Sequence, residues 1–150
     1  MHGKYAQSFV TDMPKSEFGV SYRVDATPTN EELNGLFDAA WPGHTRRDFR
    51  PVLNQSLAFV CAYDGNGLVG FVNLAWDGGY HAFILDTTVH PEYQRRGIGR
   101  GLVGRAVAEA GSRGVEWVHV DFEPRLRGFY ERCGFVSTAA GLMRPGGGRV

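Results

Sequence analysis

The segment Val89-His90-Pro91-Glu92-Tyr93-Gln94-Arg95-Arg96-Gly97-Ile98-Gly99-Arg100 brings glycines and arginines together where a β-branched run gives way to a helix-like pattern. These residue types suit an anion. Free N–H groups at a helix start carry the positive end of the helix dipole, glycines allow close backbone approach, and arginines add charge-assisted bonds. A pyrophosphate fits such a segment. Gly99-Arg100-Gly101-Leu102-Val103-Gly104 also matches the dinucleotide fingerprint G-x-G-x-x-G, with Asp121 downstream. That match fits poorly, because the fingerprint glycines belong in the turn directly after a strand, whereas Val89 lies ten residues before Gly99. A nucleotide P-loop is excluded, since no Gly-Lys-Ser/Thr follows. The plain alternative is a helix start with incidental arginines on a solvated face.

The surrounding pattern supplies elements to hold this segment. Residues 1–17 read as a loose arm and 19–24 as a first strand. Pro28-Thr29-Asn30-Glu31-Glu32 starts a helix, with Leu33, Leu36, Phe37 and Ala40 on one face until Trp41-Pro42-Gly43. A weaker helix is expected over 45–54, interrupted by Pro51. Strands follow over 56–63, 68–76 and 81–89, the first two joined by the hairpin signal Asp64-Gly65-Asn66-Gly67. Leu102, Val103, Ala106, Val107 and Ala110 space as a helix. A strand over 115–122 and a helix over 124–133 come next, the helix closed by Gly134. Short strands are expected over 135–137 and 141–144, then a tail over 145–150. An antiparallel meander thus precedes a βαβ crossover, whose two strands should be parallel.

The totals fit one domain of 150 residues. With 16 basic and 16 acidic residues, the net charge is zero, which gives no global argument for nucleic acid or an anionic membrane. Residues 93–108 nevertheless hold Arg95, Arg96, Arg100 and Arg105 and no acid, as a local anion site requires. Cys61 and Cys133 should be reduced thiols. The five histidines lack metal-ligand spacing, so no metal is expected. Without a signal peptide or a long apolar run, a soluble cytoplasmic protein is expected.

The stretch from Val89 to Gly99 resembles motif A of the GNAT N-acetyltransferases, whose signature is Gln/Arg-x-x-Gly-x-Gly/Ala. Gly128-Phe129-Tyr130-Glu131-Arg132-Cys133-Gly134-Phe135 is similar to the Phe-Tyr-x-x-x-Gly-Phe segment of the same family. The two matches flank the expected strand and together cover residues 81–136. The resemblance implies a mixed α/β fold with six to seven mostly antiparallel strands and about four helices, splayed between the motif A strand and the next. It implies acetyl-CoA as cosubstrate in that splay. Backbone groups from Gln94 through Arg95, Arg96, Gly97, Ile98 and Gly99 to Arg100 would hold the pyrophosphate. Thr87, Thr88 and Val89 would pair with the pantetheine like an added strand. One of their N–H groups could polarise the thioester carbonyl.

The family's reaction is direct attack by an amine in a ternary complex. Tyr130 occupies the family's general-acid position, and a phenol can donate to the departing sulfur. Asp86 leads into motif A, where many relatives carry an acid that works as base; its plain role would be to cap or to pair with an arginine. His119, Asp121 and Glu123 are further bases to weigh. The acceptor is expected to be a primary amine of a small molecule or peptide, bound near Trp41, His44, Phe49, Trp76 and Tyr80. A homodimer is compatible with the resemblance. A non-catalytic acyl-CoA sensor and a dinucleotide-binding protein are the competing functions.

Overall fold

The computed structural model describes residues 19–150, so the arm expected over 1–17 lies outside the described residues. The elements are β1 (Val20–Val24), α1 (Asn30–Ala40), α2 (Arg50–Gln55), β2 (Ala58–Asp64), β3 (Gly67–Trp76), β4 (His81–Val89), α3 (Ile98–Ser112), β5 (Trp117–Val120) and α4 (Arg127–Arg132). Short 3-10 turns over Pro91–Tyr93 and Pro124–Leu126 precede α3 and α4. The strands form one sheet in the order β1-β2-β3-β4-β5. The first four are antiparallel neighbours, and β4 runs parallel to β5 across the α3 crossover, as the meander-then-crossover pattern predicts.

Local chemistry sets the helix ends. Thr29 caps α1 in a reciprocal box: its hydroxyl accepts from the Glu32 amide (3.1 Å) while the Glu32 carboxylate accepts from the Thr29 amide (2.7 Å). α2 starts five residues later than expected. Pro51 sits in its first turn, where a missing N–H costs nothing, so the proline opens this helix instead of interrupting one. α4 ends in a Schellman motif: Gly134 N–H donates to Glu131 O and Phe135 N–H to Tyr130 O, with Gly134 at φ +98°.

Both faces of the sheet are covered. On one, Val60, Val72, Leu74 and Ile84 pack against Ile98, Leu102 and Ala106 of α3. On the other, Cys61, Tyr63 and Phe71 pack against Leu33, Leu36 and Phe37 of α1, with Phe49 behind them. Both cysteines are free thiols, Cys61 buried and Cys133 half-buried. Among the described residues, no helix is long and apolar enough to cross a membrane.

The strand count is a correction: among the described residues five strands form, where six to seven were expected. Residues 135–137 and 141–144 are not strands. Val136, Leu142 and Met143 are exposed, so no face rewards the alternation that their types suggest. Ala139, Ala140 and Gly141 between them have low strand propensity.

Candidate active site

β4 carries a bulge at the point where it leaves β5. Thr88 pairs with Phe71 and Leu85 with Asn73, so Asp86 and Thr87 together oppose Val72 alone. Asp86 takes φ +55°, a left-handed conformation that is unfavourable for a side-chain-bearing residue. The pairing of β4 with β5 runs from His81 to Ile84 and stops there. Beyond it, residues 85–89 keep their pairing with β3, while their edge on the β5 side opens as a cleft without a strand partner among the described residues.

Tyr130 closes one side of this cleft. Its ring stacks on Phe122 (centroids 5.0 Å apart, planes at 18°) and meets Phe129 and Phe135 edge-on. Its hydroxyl donates to Thr87 Oγ1 at 3.4 Å. Burial raises its pKa above the ordinary phenol value, with the Thr87 hydrogen bond opposing weakly. The phenol therefore keeps its proton at neutral pH. Phe122, which sequence reasoning did not single out, fixes the ring.

On the opposite side of β4, Trp41 at the end of α1 donates from Nε1 to Thr88 Oγ1 (2.9 Å), and that hydroxyl donates to Asp86 O (2.8 Å). Phe37, Trp41, His44, Thr45, Arg47 and Asp86 line an open cavity of about 430 Å³. Two asparagines on α1 hold its outer wall. Asn34 Oδ1 accepts from the Arg47 amide and from His44 Nε2 (both 2.9 Å), and its Nδ2 donates to Asn30 O and Arg47 O (both 2.8 Å). Asn30 Oδ1 accepts from the Phe49 amide (2.8 Å). Their spacing of four, on a face otherwise occupied by Leu33 and Phe37, was the signal available in the sequence. Of the aromatic residues expected near the acceptor, Trp41 and His44 line this cavity. Phe49 is buried behind it, while Trp76 and Tyr80 lie at the far end of the β3–β4 hairpin.

The motif A segment follows β4 directly. His90 Nδ1 accepts from the Glu92 amide (3.2 Å), and Gln94 Nε2 donates to Val89 O (3.2 Å), folding the turn. Tyr93 anchors it to the β2–β3 hairpin by donating to Asp64 Oδ2 (2.6 Å), and the Arg96 guanidinium lies 5.2 Å from the Tyr93 ring centroid. Arg95 (φ +61°) and Gly97 (φ +79°) are both left-handed. Gly97 is the N-cap of α3 and offers no side chain to its first-turn amides; that turn contains no acid. Those amides of Ile98, Gly99 and Arg100 have no carbonyl within the helix to pair with, so an anion suits them. The Ile98 side chain itself is in the core. Two of the three fingerprint-like glycines serve packing: a Cβ on Gly99 would sit 3.3 Å from the Phe129 ring, and one on Gly101 would sit 2.5 Å from the Tyr22 hydroxyl, whereas one on Gly104 would meet open space.

Other expected bases stand elsewhere. His119 stacks on Phe83 and bonds His81 (2.8 Å between ring nitrogens), before the strands part. Glu123 pairs with Arg125 at 2.6 Å. Asp121 lies just past β5. Asp86 borders the cavity, with Arg47 at 3.6 Å. Among the described residues, no group of three or more His, Cys, Asp or Glu could hold a metal ion.

Comparison with known proteins agrees with this architecture. The model of the acetyltransferase (GNAT) family matches residues 26–135. GCN5-related N-acetyltransferase 1, chloroplastic, of Arabidopsis thaliana is 30% identical over 117 residues, covering 75% of this chain and 58% of that protein. Among solved structures, a GNAT family acetyltransferase of Streptococcus pneumoniae TIGR4 superposes with a TM-score of 0.71 at 27% identity, over 84% of this chain and 98% of its own. A putative acetyltransferase of Deinococcus radiodurans R1 reaches 0.73 at 26% identity, over 87% of this chain and 91% of its own. With a bulged, splayed β4, an uncapped α3 and a matching family model over most of its length, this chain belongs to the acetyltransferase (GNAT) family.

Proposed function

We propose that the chain is an N-acetyltransferase that moves an acetyl group from acetyl-CoA to a primary amine of a small molecule or peptide. The observation that carries this reading is the bulge at Asp86 and Thr87, flanked by the Tyr130 hydroxyl on one side and an open cavity on the other. Residues 94–100 hold the pyrophosphate. The free edge of β4 over Thr87, Thr88 and Val89 pairs with the pantetheine amides. In the reaction, the acceptor ammonium yields a proton to Asp86, directly or through water. The freed amine bonds to the thioester carbon, and an N–H of the bulged stretch donates to the carbonyl oxygen as negative charge develops there. As the C–S bond breaks, the Tyr130 hydroxyl protonates the sulfur, and the second proton that the attacking nitrogen sheds passes through water to the Tyr130 phenolate, restoring the phenol.

A thermal-shift panel followed by thiol release tests the reading. Stabilisation by CoA and acetyl-CoA, with free thiol released in the presence of an amine, is expected. Stabilisation by NAD(P) alone would favour a dinucleotide-binding protein. Acetyl-CoA binding without turnover across a broad amine panel would favour a sensor. A cytoplasmic location belongs to the same proposal, and cell fractionation tests it.

A further inference from the structure

The charged side chains of the acceptor cavity are not those of a site built for a simple amine. Arg47 and Asp86 face each other across it, with Arg47 Nη2 3.6 Å from Asp86 Oδ2. The contact is loose, beyond good hydrogen-bond distance, and both side chains are partly exposed (48% and 38%). Arg47 is nevertheless held firmly. Asn34 binds both its amide and its carbonyl, and its guanidinium rests on the Phe49 ring, 4.7 Å from the centroid. Nearby cations are satisfied elsewhere: Arg46 by Glu31 and Asp38, Arg50 by Asp48. Arg47 alone of these three lines the cavity.

We infer that the acceptor is a zwitterion, an amine that carries a carboxylate close by, as in an amino acid, and that Arg47 is its specificity-determining residue. This rests on the N-acetyltransferase reading above. An acceptor with positive charge alone would meet a carboxylate already opposed by an arginine. A zwitterion replaces the loose Arg47–Asp86 contact with two better ones. Its ammonium faces Asp86, and its carboxylate takes the planar fork of Arg47, which suits bidentate pairing. Phe37 and Trp41 flank the remainder of the molecule. Acetylation then removes the ammonium charge and leaves the carboxylate. The product has nothing to offer Asp86, and re-formation of the Arg47–Asp86 contact favours its release.

Matched acceptors test this: phenylalanine, phenylalaninamide and phenethylamine, with leucine, leucinamide and isoamylamine as an aliphatic set, each scored by free-thiol release as kcat/KM. In at least one set the acid is expected to exceed its amide by about tenfold or more, the scale of a hydrogen bond to a charged group. Arg47→Gln should bring that ratio close to one, and Arg47→Lys should restore part of it. A retained CoA thermal shift verifies that each variant is folded. Amides or plain amines acetylated as well as the acids would overturn the inference while leaving the N-acetyltransferase reading intact. So would an acid-to-amide ratio unchanged in Arg47→Gln. No thiol release with any amine would instead overturn that underlying reading.

Discussion

Tyr130 reaches the cleft with its proton secured. Burial raises its pKa above the ordinary phenol value of 10.0, so the protonated form prevails below that raised value and is lost only as pH rises through it. A fall in kcat that reports Tyr130 must therefore lie above about pH 10. Tyr130→Phe keeps the stacking on Phe122 and removes the donor. We expect kcat to fall by about 10²-fold, the low end for general acid catalysis because a thiolate is a fair leaving group, with acetyl-CoA affinity nearly unchanged. Single-turnover thiol release beside a CoA titration measures both, and an unaltered kcat would remove Tyr130 from the acid role. The two thiols offer a second residue-level test. Burial pushes the Cys61 thiol up to about 12, and its side chain is wholly inaccessible. Cys133 is raised by burial too, but it is only half-buried and Arg100 and Arg132 oppose the shift. Iodoacetamide at about pH 8 should alkylate Cys133 and spare Cys61 in the folded protein, read by peptide mass spectrometry. Early labelling of Cys61 would contradict the packing of β2 under α1.

At the scale of elements, the outer wall of the cavity is a loop held by two asparagines of α1, of which Asn34 is the buried one. Asn34 uses one donor and its acceptor on the chain between His44 and Arg47, while its second donor goes to Asn30 O. Asn34→Ala leaves the Arg47 amide and carbonyl without these partners and should cost about 1–3 kcal/mol. Trypsin should then cut faster after Arg46 and Arg47, and the KM for the amine should rise while that for acetyl-CoA holds. A loop equally resistant in the variant would show that other contacts fix it. The sequence made some elements plain and hid others. Asp64-Gly65-Asn66-Gly67 marked the β2–β3 hairpin because a tight turn needs those residues, and Pro28-Thr29-Asn30-Glu31-Glu32 marked the start of α1 through a capping residue followed by acids. The bulge at Asp86 left no glycine to announce it. A side-chain-bearing residue adopts φ +55° there, held by the sheet around it and not by its own preference. Residues 135–137 and 141–144 failed in the opposite direction: their composition suits strands, but pairing and burial decide strands, and neither is available. In the candidate site, the motif A segment and the position of Tyr130 beside the cleft were legible because local spacing carries them. Arg47 and Asn34 were not, because their roles depend on a fold-back that no periodicity records.

At the scale of the molecule, one sheet serves two cores. β2 and β3 supply Val60, Val72 and Leu74 to the α3 face and Cys61 and Phe71 to the α1 face. Neither face can lose its helix without stripping strands that the other requires, so unfolding should be a single cooperative transition. Leu33→Ala and Leu102→Ala test this from opposite sides, since both side chains are fully buried. Each should cost roughly 2–5 kcal/mol and lower Tm by about 5–20 °C, with near- and far-ultraviolet dichroism melting together. CoA binds across the sheet's shared strand and the α3 N-terminus in the reading above, so it should stabilise the whole fold by linkage. At about 100 times Kd the gain is about 2.7 kcal/mol, or roughly 5–10 °C. The same increment is expected in both variants, since the α1 and α3 faces melt as one unit. A CoA shift confined to one variant, or a melt that splits into two steps, would mean that the α3 face and the cavity wall on the α1 face unfold separately. The sheet would then be a scaffold for two weakly coupled halves.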